Sequence, residues 1–207
     1  MKYFGTDGIR GSYGDFEVSE PFYRNLGAAC ADALADSGGG FAVAGCDTRA
    51  SSDSLKAAFC EGFASRGGRV EDMGVLPTPA LAYAVLERKA ALGAMITASH
   101  NPYSDNGIKF FDSRARKACD DFQLDIERRA DATACDFGAY SKKSFAPREI
   151  SAGKFALGEY AAKMCSLFEP GFLGGLTVAV DMANGATSGV SSKVFEAYGA
   201  KVVGAAS

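Results

Sequence analysis

LGAMITASHNPYSDNGIKFF, residues 92–111, is the stretch that decides the fold of this chain. Leu92 to Thr97 is an apolar run bounded by turn residues, which predicts a buried strand. Ala98 to Gly107 is a polar loop with two turn signals, Asn-Pro and Asn-Gly, and Ile108 to Phe111 predicts another strand. Because Asn-Gly between two strand-like runs is typical of a hairpin, we expect one antiparallel pair within a mixed sheet.

Strands and helices alternate on both sides of this stretch, which predicts an α/β fold with helices flanking a mixed sheet. The elements predicted before it are a helix capped by Ser19, a strand over Phe41 to Cys46, a helix bearing Leu55, Ala58, Phe59 and Phe63, a strand over Val70 to Val75, and a helix from the cap Thr78 to about Lys89. Those predicted after it are a charged surface helix over Asp120 to Ala130, a helix over Ser151 to Phe168, a strand over Leu176 to Val180, a helix over Ser191 to Tyr198 and a strand over Lys201 to Val203.

The pattern divides the chain at an irregular polar stretch, residues 131–150. We predict a first domain over 1–150, and over 151–207 a connecting helix with the start of a second α/β domain. A single βαβ start cannot cover both faces of its own sheet, so this second domain is expected to be incomplete.

Charge and composition exclude several classes of function. With 22 basic and 25 acidic residues, a net charge of −3 and no basic face, a nucleic-acid partner is not expected. No apolar run approaches the roughly 18 residues of a membrane span, and the N-terminus has no apolar signal segment. One histidine and six cysteines without a CxxC pair exclude a zinc cluster of the usual spacing. Isolated thiols such as Cys30 and Cys60 indicate a reducing cytoplasm.

Three loops carry candidate functional residues. FGTDGIRG, residues 4–11, combines glycines with Arg10, whose guanidinium suits phosphate, although composition alone favours a plain glycine-rich turn. TASHNPYSDNGIK, residues 97–109, leaves the carboxyl end of a buried strand, where sites form in α/β sheets. CDTR, residues 46–49, also follows a strand, and Arg49 either steadies a neighbouring charged loop or is simply exposed.

The chemistry of Ser99 is open on these patterns. Ser99 beside His100 is not a catalytic pair by itself, and the G-x-S-x-G elbow of a serine hydrolase is lacking. A serine can instead accept a phosphoryl group, which requires cations such as Arg10, Arg49, Lys109 or a magnesium ion nearby. A structural polar loop is the alternative, and DMANGATSG, residues 181–189, is interpreted as a structural turn.

Five segments in order resemble the α-D-phosphohexomutase family. They are FGTDGIRG, GCDTR, LPTPAL, ITASHNPYSDNGIKFF and VDMANGATSG. The residues of the first and fourth segments are most similar to those of members that interconvert glucosamine 6-phosphate and glucosamine 1-phosphate. The resemblance covers nearly the whole chain and implies the first domain of the family fold followed by part of the second.

The resemblance implies roles for particular residues. Ser99 matches the phosphoserine that exchanges phosphate with the sugar through a bisphosphorylated intermediate. Lys109 and Arg10 match the general acid/base or its electrostatic support. The remaining matches are His100 and Asn101, which organise the phosphate within the serine loop, and Arg49, a basic residue that supports that loop. The implied partner is a hexosamine phosphate, and the implied cofactor is one Mg²⁺ bound through the phosphate of Ser99.

The chain departs from the family pattern in several ways. The DGDGDR-type loop whose aspartates hold Mg²⁺, the GEQSGH-like sugar loop and the C-terminal phosphate-binding domain are missing, and Ser113 to Ala118 replaces a glycine-containing turn. We therefore expect a fragment that does not turn over substrate alone. The alternatives are a fragment of a mannose- or glucose-phosphate mutase, or a non-catalytic phosphosugar-binding module.

Overall fold

A five-stranded mixed sheet organises the first part of the chain in the computed structural model, which describes residues 1–133 and 152–205. Its strands are β1 (Ile9–Ser12), β2 (Phe41–Cys46), β3 (Arg69–Val75), β4 (Leu92–Ile96) and β5 (Asp105–Asp112). They lie in the order β1-β5-β4-β2-β3, and β5 runs antiparallel to both of its neighbours while the other pairs are parallel. The predicted mixed α/β sheet is confirmed.

Helices cover both faces of this sheet. They are α1 (Glu20–Asp36), α2 (Ser52–Ser65), α3 (Thr78–Arg88) and α4 (Asp120–Thr133). Strand β2 shows the division, since Ala42 and Ala44 join the core cluster that includes α1 and α2, whereas Val43 joins the cluster around α3. Alternate residues of a strand point to opposite faces, so β2 contributes to both cores.

Helices α1 and α2 touch through glycine. A Cβ on Gly27 would lie 2.1 Å from the Phe59 carbonyl oxygen, and one on Gly62 would lie 1.9 Å from that of Arg24. Either side chain would push the helices apart, because backbone cannot yield as a flexible side chain does.

A second, two-stranded sheet follows the five-stranded one. Strands β6 (Thr177–Asp181) and β7 (Lys201–Ala205) pair in parallel and are accompanied by α5 (Ala152–Cys165) and α6 (Ser191–Ala197). Leu157 and Tyr160 of α5 pack against the core around α3. The predicted domain boundary at residue 150 lies outside the described residues, and we retain it as a proposal. None of the helices within 1–133 and 152–205 could cross a membrane.

Two local predictions are wrong. Asn106-Gly107 lies inside β5, and the reversal between β4 and β5 runs through the preceding loop instead. Asn106 is buried and its Nδ2 donates to the hydroxyls of Ser51 at 2.9 Å and Ser52 at 3.0 Å, so these contacts outweigh its turn propensity. Strand β1 lies where the sequence predicts a loop. Its four residues include a glycine and are too few to show the alternation of apolar and polar side chains that predicts a strand.

Two predicted caps also differ in detail. Ser19 precedes α1, but its hydroxyl donates to the Phe16 carbonyl and does not cap the helix. Thr78 is the first residue of α3, and Pro77 takes the cap position. The segment after β5 forms its turn without glycine, since Ala115 adopts a left-handed φ of 57° and Asp112 accepts from the backbone of Arg116.

Helix α4 is not merely the charged surface helix that was predicted. Ile126 and Ala130 enter the core, and the Glu127 side chain is buried. Glu127 accepts hydrogen bonds from the backbone N–H of Lys2 at 2.8 Å, Tyr3 at 2.7 Å and Phe4 at 2.8 Å. Burial works to raise the pKa of Glu127, but these amide donors favour the carboxylate more and lower its pKa below the ordinary 4.5.

We expect Glu127→Gln to reduce the free energy of unfolding at neutral pH by about 1–3 kcal/mol, because one oxygen that accepts from the amides is lost. A lowered folded-state pKa contributes stability that is fully present above the ordinary value and is lost as the pH falls through the lowered one. The deficit of the variant should therefore shrink as the pH falls below 4.5. Denaturant titrations at several pH values, with the exposed Glu169→Gln as control, measure this; a deficit that does not change with pH would contradict it.

Candidate active site

A cleft of about 560 Å³ lies at the carboxyl ends of β2 and β4. These strands are parallel neighbours with Cys46 opposite Ile96, so the loops that leave them begin side by side. One wall is the loop over residues 97–105, here called the serine loop, together with Asp47 to Arg49. The other wall includes the turn over 183–186 that follows β6. The volume is within the usual range for a small-molecule site.

Arg49 ties the serine loop to the end of β2. Its Nε donates to Asp47 Oδ2 at 3.0 Å, and its side chain is only 10% exposed. Its terminal nitrogens donate to backbone carbonyls of the serine loop, namely those of Ser99 (3.0 Å), Asn101 (2.9 Å), Pro102 and Asp105 (2.8 Å). A guanidinium has five N–H donors, so Arg49 keeps none for a ligand and acts as a positioning residue.

Asp47 and Thr97 complete this support. Asp47 accepts from the hydroxyls of Ser52 at 2.6 Å and Thr97 at 2.7 Å in addition to Arg49. The Thr97 hydroxyl in turn accepts from the Ser99 backbone N–H at 2.9 Å. A chain of hydrogen bonds therefore runs from the end of β2 to the backbone of Ser99.

Ser99 is exposed at the start of the serine loop and lines the cleft. Its backbone is left-handed, with φ of 58°, a region that costs energy for residues other than glycine. Its Oγ lies 3.4 Å from Nδ1 of His100, which is also exposed. Asn101 faces inward instead and donates from Nδ2 to Asp105 Oδ2 at 3.0 Å. At the cleft, Asn101 is therefore engaged within the loop, whereas the Ser99 hydroxyl contacts only the His100 ring among the described residues.

Arg10 and Lys109 form a separate group around Asp7. Lys109 Nζ is 3.3 Å from Asp7 Oδ2, and Arg10 Nη2 donates to the same oxygen. Cross-strand partners share a face of the sheet, and Lys109 lies opposite Met95, which lines the cleft. The cations therefore project on the face of the sheet that bears the cleft.

Gly107 allows Arg10 to approach the serine loop. Arg10 is the cross-strand partner of Gly107, and a Cβ there would lie 2.9 Å from Arg10 Cγ and 3.0 Å from the Thr97 carbonyl oxygen. Arg10 therefore crosses the sheet next to the residue where the loop begins. The Arg10 Nε is buried and has no hydrogen-bond partner within the described part of the chain.

Cys46 offers no second nucleophile beside the cleft. Its Sγ lies 3.6 Å from Asp53 Oδ1, and burial raises the pKa of the thiol to about 12, although nearby Lys56 opposes this. The thiol is therefore protonated at neutral pH, whereas the reactive form is the thiolate.

The structure brings Ser99, His100, Asn101 and Arg49 into one loop assembly and joins Arg10 to Lys109 through Asp7. Within the described residues, no hydrogen bond or ion pair joins the two groups. Sequence reasoning missed Asp7, Asp47, Thr97 and Asn106. For Asp47 and Thr97 a signal was available, because each is the first polar residue after a buried strand.

The described residues do not by themselves fit a Mg²⁺ site. Mg²⁺ requires an octahedral set of oxygen ligands. Across 1–133 and 152–205 no group of three or more His, Cys, Asp or Glu side chains could hold a metal ion. The nearby carboxylates of Asp47 and Asp105 are engaged by Arg49 and Asn101, so neither stands free beside the Ser99 oxygen.

Comparisons with known proteins agree with this geometry. Residues 1–135 match the family model for phosphoglucomutase/phosphomannomutase, alpha/beta/alpha domain I. The chain is 39% identical over 203 residues to a phosphoglucosamine mutase of Alcanivorax borkumensis and 41% identical over 206 residues to one of Deinococcus deserti. These alignments cover 98% and 97% of the chain but 44% and 45% of the relatives, so the chain spans less than half their length.

Solved structures show the same fold. A phosphoglucomutase/phosphomannomutase family protein from Burkholderia thailandensis superposes with a TM-score of 0.75 at 25% identity, over 99% of this chain and 43% of that one. A putative phosphomannomutase from Thermus thermophilus superposes with a TM-score of 0.74 at 28% identity, over 97% and 45%.

We expect Arg49→Lys to loosen the serine loop although the charge is retained, because an ammonium cannot reproduce the planar fork of donors. Hydrogen exchange of the Ser99, Asn101 and Asp105 amides, each hydrogen-bonded within the loop, should accelerate at least about tenfold. Arg66→Lys, at a half-exposed ion pair with Asp32, is the control. Equal exchange in wild type and Arg49→Lys would show that the carbonyl contacts do not hold the loop.

Proposed function

Because the chain belongs to the phosphoglucomutase/phosphomannomutase family, we propose that it carries the phosphoserine part of a phosphoglucosamine mutase. The whole protein interconverts glucosamine 6-phosphate and glucosamine 1-phosphate, and Ser99 is the temporary phosphoryl carrier. The names of the relatives support this substrate. We also propose a cytoplasmic location, where Cys30, Cys60 and the other free thiols in the described ranges remain reduced.

The observation that carries the proposal is the placement of the Ser99 hydroxyl. The oxygen stands exposed at a cleft, while the backbone of its loop is held by Arg49 and by the Asp47–Thr97 chain. Phosphoryl transfer depends mainly on positioning and charge stabilisation. A loop that is held in this way and presents the Ser99 hydroxyl at the cleft meets the positioning requirement.

The proposed transfer exchanges one P–O bond for another. A hydroxyl oxygen of the sugar monophosphate attacks the phosphorus of phosphorylated Ser99, a new P–O bond forms, and the bond to Ser99 Oγ breaks. The attacking hydroxyl loses its proton, and the leaving Ser99 oxygen gains one. The bisphosphorylated sugar then returns its other phosphoryl group to Ser99 by the reverse exchange.

Arg10 and Lys109 are the proposed electrostatic and proton-transfer groups. Both lie on the cleft face of the sheet and both contact Asp7, which holds them together. Cations placed near a transferring phosphoryl group stabilise its charge in the transition state. We assign the proton exchange at the Ser99 oxygen to Lys109 and an orienting role to His100, whose ring nitrogen is 3.4 Å from that oxygen.

A mannose- or glucose-phosphate substrate is the second candidate. The structural similarity to the putative phosphomannomutase of Thermus thermophilus favours it. Competing kcat/KM measurements with glucosamine, mannose and glucose phosphates on the whole protein separate the candidates.

We expect Ser99→Ala to abolish phosphorylation of the protein, because the accepting oxygen is gone. In the whole protein, mutase turnover should fall at least about a thousandfold, as for other lost nucleophiles. Intact-mass measurement after exposure to a hexosamine bisphosphate, with a coupled turnover assay, tests both effects.

Ser104→Ala is the matched control, since Ser104 is an exposed serine of the same loop. It should retain phosphorylation and turnover. Full activity of Ser99→Ala would rule out the carrier role.

We expect Lys109→Gln to lower kcat about a hundredfold with little change in KM, because proton transfer and charge stabilisation act in the transition state. Lys193→Gln, at an exposed lysine of α6, should have no effect. Steady-state kinetics with circular dichroism as a folding check measure this. An unchanged kcat would remove Lys109 from the chemistry.

A further inference from the structure

The turn after β6 has a fixed conformation. Ala183 and Asn184 are both left-handed, with φ of 47° and 51°. Asp181 Oδ1 accepts from the Ala183 N–H at 2.9 Å, and the Gly185 N–H donates to the Met182 carbonyl at 2.7 Å. Asparagine tolerates the left-handed region better than most residues, so the turn holds Asn184 without needing its side chain for a contact.

The side chain of Asn184 is unused within the described structure. Asn184 is exposed and lines the cleft on the wall that faces the serine loop. Its carboxamide makes no hydrogen bond to any residue of 1–133 or 152–205, although a carboxamide offers two donors and one acceptor. A polar group of this kind is available to a molecule that enters the cleft.

The lining of the cleft suits a neutral polar ligand group. The charged side chains that line it, Asp47 and Arg49, are paired at 3.0 Å and committed to the serine loop. Apart from Thr97, Ser99 and Asn101, the other polar side chains that line it are the hydroxyls of Thr48, Thr78 and Tyr103 and the carboxamide of Asn184. Such groups pair well with sugar hydroxyl and amino groups and poorly compensate a phosphate dianion.

We propose that Asn184 is a substrate-positioning residue that hydrogen-bonds the sugar ring, not a phosphate group, of the hexose phosphate that reacts at Ser99. This inference rests on the proposed function. The turn over 183–186, interpreted from sequence as structural, thereby also serves recognition. The binding face for the sugar is built from both sheets, with Thr78 at the start of α3 and Asn184 after β6.

The proposal is tested by nuclear magnetic resonance on the 207-residue chain. Glucosamine 6-phosphate is titrated into the labelled chain, and inorganic phosphate is titrated at the same concentrations. The side-chain NH₂ signals of Asn184 should shift with the sugar phosphate and should not shift with inorganic phosphate. Absence of a shift with the sugar phosphate, or equal shifts with both, would overturn the proposal.

Two variants separate recognition from turn geometry. Asn184→Gly keeps the left-handed backbone but deletes the carboxamide, and we expect the Kd for glucosamine 6-phosphate to rise about tenfold. Ala115→Gly adds backbone freedom at another left-handed alanine, in the turn after β5 and outside the cleft lining, so its Kd should change by less than about twofold. Equal effects of the two variants, or an unchanged Kd for Asn184→Gly, would contradict a recognition role. The titration of the unsubstituted chain decides the matter even if a variant fails to fold.

Failure here is distinguishable from failure of the proposed function. The titration does not use the reactivity of Ser99, so the Ser99→Ala chain should give the same shifts of Asn184. A whole protein that never phosphorylates Ser99 would refute the carrier role, whatever the titration shows. A phosphorylated Ser99 with no response of Asn184 would refute only the inference about Asn184.

Discussion

The largely buried ion pair between Asp47 and Arg49 is the contact on which the site depends. Both residues follow β2, and their hydrogen bonds to Thr97 and to the carbonyls of the serine loop connect the end of β2 to the end of β4. They thereby hold a loop in which Ser99 has an unfavourable backbone. Arg49 uses its charge on carbonyl oxygens, and Asp47 uses its own on hydroxyls and on Arg49. The two charged side chains nearest Ser99 therefore hold the conformation of its loop. The cations available for chemistry come from a different pair of strands.

The order of the strands explains this division of work. The parallel neighbours β2 and β4 carry the supporting residues at their carboxyl ends. Strands β5 and β1, which follow β4 in the sheet order, carry Lys109 and Arg10. The second sheet contributes only the turn that faces the cleft. The residues that support the serine loop, the cations and the turn that lines the cleft therefore lie on separate elements.

Much of the fold follows from local patterns, whereas the contacts of the site do not. The bounds of β2 match its apolar run, and β4 ends one residue before the predicted end. The family motifs indicated Ser99. The contacts of Arg49 join residues about fifty positions apart in the sequence, and the periodicity of apolar residues cannot predict such contacts. The buried contacts of Asn106 override an Asn-Gly turn signal for the same reason: tertiary partners outweigh local propensity.

Strand β5 runs in the opposite direction to the other four strands of the first sheet, and it carries both Lys109 and the buried Asn106. A slip of its pairing by one residue would turn Lys109 toward the core of α1 and α2, and would carry Ile108 and Phe110 to the cleft face. A misaligned chain would bury an unpaired ammonium in an apolar interior, at a cost of several kcal/mol. The reactive lysine therefore also favours the correct register, because only the correct alignment leaves its ammonium paired with Asp7.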